Sequence, residues 1–144
     1  MEKSNIDEKI KLLTGSGMWH TQEVEGLPSV HLSDGPHGLR KQEEKERQNN
    51  VSLVSTCYPT ASALACSWDV TVAERLGRAV AKEAWNADVA VLLGPGINMK
   101  RSPLCGRNFE YFSGDPFLAG RLGAAYVSAC LLYTSPSPRD MRRS

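Results

Sequence analysis

Two short segments of this 144-residue chain bring together polar side chains at spacings that could serve chemistry. The first is residues 33–40 (SDGPHGLR), in which the Asp34 carboxylate and the Arg40 guanidinium lie six residues apart. A tight loop around the glycines and proline could aim both side chains at one ligand. Sugar hydroxyls suit such a pair, because a carboxylate accepts hydrogen bonds and a guanidinium donates them. The alternative is an Asx turn whose Asp34 pairs with Arg40, which Asp-Gly-Pro sequences also favour.

The second segment is residues 98–112 (NMKRSPLCGRNFEYF), which holds three cations, one carboxylate and three aromatic residues. Such a density of functional groups directly after an apolar run indicates a site. Arg107 and Glu110 could instead form a structural ion pair, with the aromatic residues serving only for packing. The residues alone leave both interpretations open.

The histidines and cysteines, which often serve as metal ligands or catalytic groups, are predicted to have structural roles here. The three histidines share no metal-ligand spacing, so no metal site is predicted. The four cysteines are irregularly spaced without a C-x-x-C pair, which indicates reduced structural thiols. These residues are His20, His31, His37, Cys57, Cys66, Cys105 and Cys130.

The tryptophans also have two interpretations. Trp19, Trp68 and Trp85 could supply a platform on which a sugar stacks, but Trp68 lies just before a predicted helix and Trp85 near its end, and both are better explained as core anchors. The chain contains no Gly-x-Ser-x-Gly, phosphate loop or dinucleotide glycine pattern. No cofactor is therefore predicted.

The elements that must position the two segments alternate between helix and strand. Apolar spacing, capping residues and turn residues predict helices over residues 6–13, 70–86 and from Asp115-Pro116 onward, and strands over residues 27–33 and 89–98. Residues 60–68 (TASALACSW) suit either a buried strand or a tightly packed helix. The continuous apolar run at 89–98 predicts a strand covered on both faces. The helix after Pro116 has a mostly apolar face that begins at Phe117, and its small residues predict close packing on a sheet. Parallel α/β architecture follows.

Composition limits the protein to one modest core. The chain is 41% hydrophobic and 23% charged, and its net charge of +1 gives no reason to expect a nucleic-acid or membrane-surface partner. The start (MEKSNIDEKIKLLTG) lacks the apolar run of a secretory signal, so a cytoplasmic location is expected. Residues 41–50 are predicted to form an exposed loop.

The last residues break the pattern of the preceding helix. Residues 130–144 include Ser-Pro-Ser-Pro and a basic end, and they resemble a translated sequencing-adapter run-on. We therefore expect one partial domain over residues 1–129, and a tail over 130–144 that is either disordered or such a run-on.

Four segments, in order, resemble family 3 glycoside hydrolases of the β-glucosidase type. They are DEKIKLLTGSGMW, SDGPHGLR, YPTASALACSWD and GPGINMKRSPLCGRNFEYFSGDPFLAGRLGAAYV. The resemblance implies an incomplete N-terminal part of a (β/α)₈ TIM-like barrel, truncated before a second domain. A complete barrel takes about 250 residues, so open sheet edges and a tendency to aggregate are expected.

The resemblance also implies roles for individual residues. Asp34 would bind hydroxyls of the non-reducing sugar, Arg40 would line the same pocket and Arg107 would donate to that sugar. Retaining hydrolysis needs two carboxyl groups about 5–5.5 Å apart, and in the family both lie beyond this chain. No catalytic residue is thus expected here, and the chain alone is predicted to be inactive, with weak or absent sugar binding.

The implied parent is an exo-acting β-glucosidase whose partner is a terminal β-D-glucoside or oligosaccharide, with a β-xylosidase or a related exo-glycosidase as the near alternative. A non-catalytic sugar-binding module is the alternative of another class. One position departs from the family pattern: Ser-Gly-Asp-Pro stands where Ser-Glu-Asp-Pro is usual, so Gly114 removes a carboxylate worth about 0.3–1 kcal/mol at a helix start.

Overall fold

The computed structural model describes residues 6–42 and 51–131. Its elements are, in order, helix α1 (Ile6–Lys11), strand β1 (Leu32–Asp34), helices α2 (Ala61–Ala65) and α3 (Val70–Asn86), strand β2 (Val91–Leu93), a 3-10 turn (Asn108–Glu110) and helix α4 (Pro116–Leu131). The strands pair in parallel, with Leu32 opposite Val91 and Asp34 opposite Leu93. The predicted α/β architecture with parallel strands is therefore confirmed.

Helix α3 has the predicted bounds, and a local signal fixes its N-terminus. The carboxylate of Asp69 caps the helix by accepting from the Thr71 hydroxyl and backbone N–H, both at 2.8 Å. These hydrogen bonds hold the pKa of Asp69 below its ordinary value. Asp69 is therefore the N-cap, and Glu74 pairs with Arg78 one turn later.

The main core lies between α3 and α4. Val80 of α3 and Leu122 of α4 are fully buried, and Tyr126 is 1% exposed. The closest approach is at Gly77, where a Cβ would overlap the carbonyl oxygen of Tyr126. The small residues of α4 were predicted to pack it on a sheet; in the structure the helix packs chiefly on α3, because Gly77 lets the two backbones meet.

Three burial predictions are wrong. Trp68 and Trp85 are 75% and 64% exposed, so neither anchors the core. Phe117, predicted to lie on the apolar face of α4, is likewise exposed. Strand β2 is covered on one face only: Leu92 contacts the core, whereas Val91 and Leu93 are exposed. Successive strand residues point to opposite faces, and the described elements cover only the side that Leu92 faces.

Two elements are shorter than predicted, and the structure shows the conformation of the stretch that the sequence left open. Helix α1 ends at Lys11, and of the strand predicted over residues 27–33 only the end is regular, in β1. The undecided stretch forms α2, capped by the Thr60 hydroxyl. Helix α4 continues to Leu131; residues 43–50 and 132–144, which hold most of the predicted loop and tail, lie outside the described residues.

None of the helices in residues 6–42 and 51–131 has the length and apolar character needed to cross a membrane. The cytoplasmic location stays a prediction. All four cysteines are free thiols, and three of them are exposed, so the expected structural role does not fit Cys57, Cys66 and Cys105.

The environment of the Tyr126 hydroxyl predicts that its removal stabilises the protein. It is buried, it has no hydrogen-bond partner among the described residues, and burial raises its pKa. An uncompensated buried hydroxyl costs about 1–3 kcal/mol. We therefore expect Tyr126→Phe to raise the free energy of unfolding, measured by urea titration and circular dichroism. Tyr58→Phe is the matched control and should lower it, because that hydroxyl donates to Glu83 at 2.7 Å. A loss of stability in Tyr126→Phe would contradict the prediction.

Candidate functional site

A cavity of about 340 Å³ opens at the carboxyl end of β1. Asp34, Arg40 and Arg107, the three residues singled out from the sequence, all line it. The structure thus brings together side chains from two segments that are far apart in the chain. A larger cavity of about 460 Å³ lies elsewhere, but its charged lining residues are already engaged: Lys41 donates to the Ala87 carbonyl and Glu83 accepts from Tyr58.

One wall of the cavity is the turn that follows β1. The Arg40 N–H donates to the Asp34 carbonyl at 2.8 Å, which closes the turn, and the Gly35 N–H donates to the Asp34 carboxylate at 3.0 Å. Gly35 and Gly38 have φ of +151° and +135°, a region that suits glycine. The Arg40 guanidinium lies 4.0 Å from the Asp34 carboxylate, with both side chains about half exposed. Such a pair is weak, so both groups keep donors and acceptors for a ligand.

Residues 55–58 support this turn from behind. The Tyr58 N–H donates to the His37 carbonyl at 2.8 Å, and the Ser55 hydroxyl donates to the Leu39 carbonyl at 2.5 Å. At Gly38 a Cβ would overlap the Thr56 carbonyl oxygen. The turn and its supporting segment are therefore in direct backbone contact.

Glu83 of α3 holds that supporting segment in place. Its carboxylate accepts from the Tyr58 hydroxyl at 2.7 Å and from the Thr56 N–H at 3.3 Å. Sequence reasoning missed all three residues. The partners are more than twenty positions apart, and no local spacing signals such a contact.

The second wall carries Arg107. Its guanidinium donates to the Glu110 carboxylate, and that hydrogen bond raises the pKa of Arg107. The Glu110 side chain is 11% exposed, whereas that of Arg107 is 72% exposed. The ion pair that the sequence offered as the alternative is thus formed. Because Arg107 also lines the cavity, Glu110 orients a guanidinium that is still open to a ligand.

The aromatic residues of this segment divide between cavity and core. Phe109 lines the cavity and lies 5.8 Å from the His37 ring, centroid to centroid, while Phe112 is 3% exposed in the core. His37 also lines the cavity, and both its ring nitrogens are buried without a hydrogen-bond partner among the described residues. Sequence reasoning gave His37 only a structural role. Within residues 6–42 and 51–131, no three His, Cys, Asp or Glu side chains gather closely enough to hold a metal ion.

The Glu83 contacts predict a pH-dependent contribution to stability. Burial by itself would raise the pKa of Glu83, but the hydrogen bonds from Thr56 and Tyr58 outweigh it and bring the pKa below the ordinary 4.5. A lowered folded-state pKa gives stability that is present above pH 4.5 and is lost as the pH falls through the folded-state value. The destabilisation caused by Glu83→Gln, measured by urea unfolding, should therefore shrink below that pH. Glu74→Gln, a half-exposed control on the same helix, should show little effect at any pH, and a Glu83→Gln effect that is constant from neutral to acidic pH would contradict the assignment.

Comparison with known proteins decides the family. Residues 34–131 match the model of the glycosyl hydrolase family 3 N-terminal domain. The chain belongs to this family. The matched range includes all three predicted site residues, and the family assignment made from the four sequence segments is confirmed.

The proteins similar to this chain are named for more than one sugar. The chain is 46% identical to thermostable β-glucosidase B of Acetivibrio thermocellus over 99% of its own length and 20% of that protein. It is 47% identical to an exo-α-(1→6)-L-arabinopyranosidase of Bifidobacterium longum over 80% of its length and 16% of that protein. It also superposes on the crystal structure of the Kluyveromyces marxianus β-glucosidase in complex with glucose. That match has a TM-score of 0.80 at 41% identity, over 88% of this chain and 15% of the other. The chain therefore spans a fifth or less of the length of these three proteins.

Proposed function

We propose that this chain forms the N-terminal part of the sugar pocket of a retaining, exo-acting β-glucosidase that removes terminal non-reducing β-D-glucosyl residues. The observation that carries the proposal is the meeting of Asp34, Arg40 and Arg107 in one cavity. The β-glucosidases among the family 3 relatives, one of them solved with glucose, support the choice of sugar.

Each side chain has a distinct part in the proposed pocket. The Asp34 carboxylate accepts from neighbouring sugar hydroxyls, and Arg40 provides positive charge beside it. Arg107 donates to the same sugar from the opposite wall, and Glu110 fixes its direction. A polar ring of this kind gives orientation, because hydrogen bonds to charged groups are about twice as strong as neutral ones.

The pocket fits the carboxyl end of a barrel. In (β/α)₈ barrels the ligand lies where the strands end, and Asp34 is the last residue of β1. The parallel pairing of β1 with β2, joined through α2 and α3, is the kind of unit from which such a barrel is built. We therefore place this chain in the first βα units of that barrel.

The chain by itself is proposed to be inactive. Retaining hydrolysis uses a nucleophilic carboxylate and a second carboxyl about 5–5.5 Å away. The two carboxylates that line the cavity, Asp34 and Glu110, are each paired with an arginine. This pairing suits binding and orientation, and it supports a catalytic pair that lies outside this chain.

Two measurements on the purified chain test the proposal. We expect no turnover of p-nitrophenyl β-D-glucoside above a blank, and no saturable binding when D-glucose is titrated into the chain. Turnover by the pure chain would overturn the claim of inactivity. Millimolar or tighter glucose binding that Asp34→Ala abolishes would instead favour the non-catalytic sugar-binding module.

A related exo-glycosidase is the second candidate. The 47% identity to an arabinopyranosidase favours it, since that family 3 relative is as similar to this chain as the β-glucosidase is. A chimera that carries residues 6–131 of this chain within the A. thermocellus protein would separate the two. A preference for p-nitrophenyl α-L-arabinopyranoside over the β-D-glucoside would assign the other specificity.

A further inference from the structure

We propose that Ser62 and Lys100 are positioning residues that hold Arg107 at the cavity. The inference rests on the proposed function for the role of Arg107, but its geometry does not depend on any sugar. Neither residue was singled out from the sequence, and neither lines the cavity.

The Ser62 hydroxyl joins three parts of the chain. It lies 3.0 Å from the Asn108 carbonyl and 3.2 Å from the Tyr111 carbonyl, and it accepts from the Lys100 ammonium at 2.5 Å. A hydroxyl has one donor and two acceptor positions, so it can accept from Lys100 and still donate to either carbonyl. One side chain of α2 thereby reaches the backbone carbonyls at the start of the 3-10 turn and just after it, and it donates to one of the two.

The segment before this turn is held mainly by contacts within itself. The Ser102 hydroxyl accepts from the Leu104 N–H, and the Ser102 carbonyl accepts from the Cys105 N–H and the Asn108 side chain. These local bonds give the segment its shape, but they do not fix its position relative to the rest of the molecule.

The residues that follow the 3-10 turn are attached to the rest of the molecule. Phe112 is buried in the core, and the Lys100 N–H donates to the Ser113 carbonyl at 3.2 Å. The bond from Ser62 to the Asn108 carbonyl is the attachment next to Arg107 itself. Because Arg107 is largely exposed and its partner Glu110 belongs to the 3-10 turn that follows it, the position of this turn decides where the guanidinium stands relative to Asp34 on the opposite wall.

Two native cysteines allow this position to be measured directly. Cys57 lines the cavity beside the turn that follows β1, Cys105 lies two residues before Arg107, and both are exposed free thiols. With Cys66→Ser and Cys130→Ala in the background, nitroxide labels at these two positions report the distance between the walls by pulsed electron spin resonance.

We expect a narrow distance distribution in the labelled chain and a broadened or shifted one in Ser62→Ala and in Lys100→Met. Ser62→Thr keeps a hydroxyl and should restore the narrow distribution. Ser67→Ala is the matched control, because that hydroxyl donates to the Leu64 carbonyl within the same helical region and does not touch the Arg107 segment.

Circular dichroism melts show whether each variant keeps the fold. Distributions of folded Ser62→Ala and Lys100→Met that match the Ser67→Ala control would overturn the proposal. The proposal would also be overturned if Ser62→Thr failed to restore the narrow distance distribution that is lost in Ser62→Ala. Because no sugar enters the measurement, such a failure would leave the proposed glucosidase function standing, and a failed sugar assay would leave this inference standing.

Discussion

Asp34→Ala in the A. thermocellus chimera is expected to lower kcat/KM for p-nitrophenyl β-D-glucoside by at least about 100-fold. Each hydrogen bond to a charged group contributes about 1.5–3 kcal/mol, and a carboxylate that accepts from two hydroxyls loses both on truncation. Since about 1.4 kcal/mol corresponds to a factor of ten, the expected loss is two to four factors of ten. The Asp34 side chain is partly exposed and its arginine partner stands at 4.0 Å, so the deletion costs little stability.

The controls separate charge, shape and folding. Asp34→Asn keeps the size but weakens the acceptor, so an intermediate loss is expected. Glu23→Ala removes an exposed carboxylate that does not line the cavity and should leave kcat/KM unchanged. Kinetics within ten-fold of the unsubstituted chimera, in an Asp34→Ala variant that melts normally, would remove Asp34 from the proposed sugar pocket.

Gly77→Ala is expected to destabilise the chain by about 1–3 kcal/mol, in the range of overpacked core substitutions. The added Cβ would overlap the Tyr126 carbonyl, so α3 and α4 must separate where Val80 and Leu122 are fully buried. A backbone oxygen cannot turn aside as a flexible side chain can. One added methyl group is therefore expected to loosen the packing of the whole core between α3 and α4.

Gly120→Ala in α4 provides the matched control. It is also a helical glycine, but a Cβ there meets no atom within 4 Å. Alanine is better in a helix than glycine by about 0.5–1 kcal/mol, so this variant should gain stability while Gly77→Ala loses it. Urea unfolding of both variants decides the point: equal effects of the same sign would show that α3 and α4 do not meet at Gly77.

The candidate site depends on supports that differ in kind between its two walls. The Asp34 wall is backed by backbone contacts with residues 55–58 and by Glu83, while the Arg107 wall depends on side-chain bonds from Glu110, Ser62 and Lys100. Loss of one side chain should therefore shift the Arg107 wall more readily than the Asp34 wall.

Sequence by itself determined the features whose causes lie within a few residues. The cap at Asp69 and the apolar spacing after it predicted a helix over about residues 70–86, where α3 lies, and the glycines around Asp34 predicted a tight turn. The family followed from longer segments, and these also named Asp34, Arg40 and Arg107, which the fold then brought to one cavity.

Tertiary structure alone decided burial and long-range support. Exposed Trp85 and Val91 look like core residues in the sequence, because an apolar side chain is buried only if another element covers it, and the chain spans a fifth or less of its family 3 relatives. Likewise Ser62 and Asn108 are separated by 46 positions. Periodicity and capping act over one or two turns of a helix, so no local pattern could foretell that a hydroxyl of α2 holds the segment that carries Arg107.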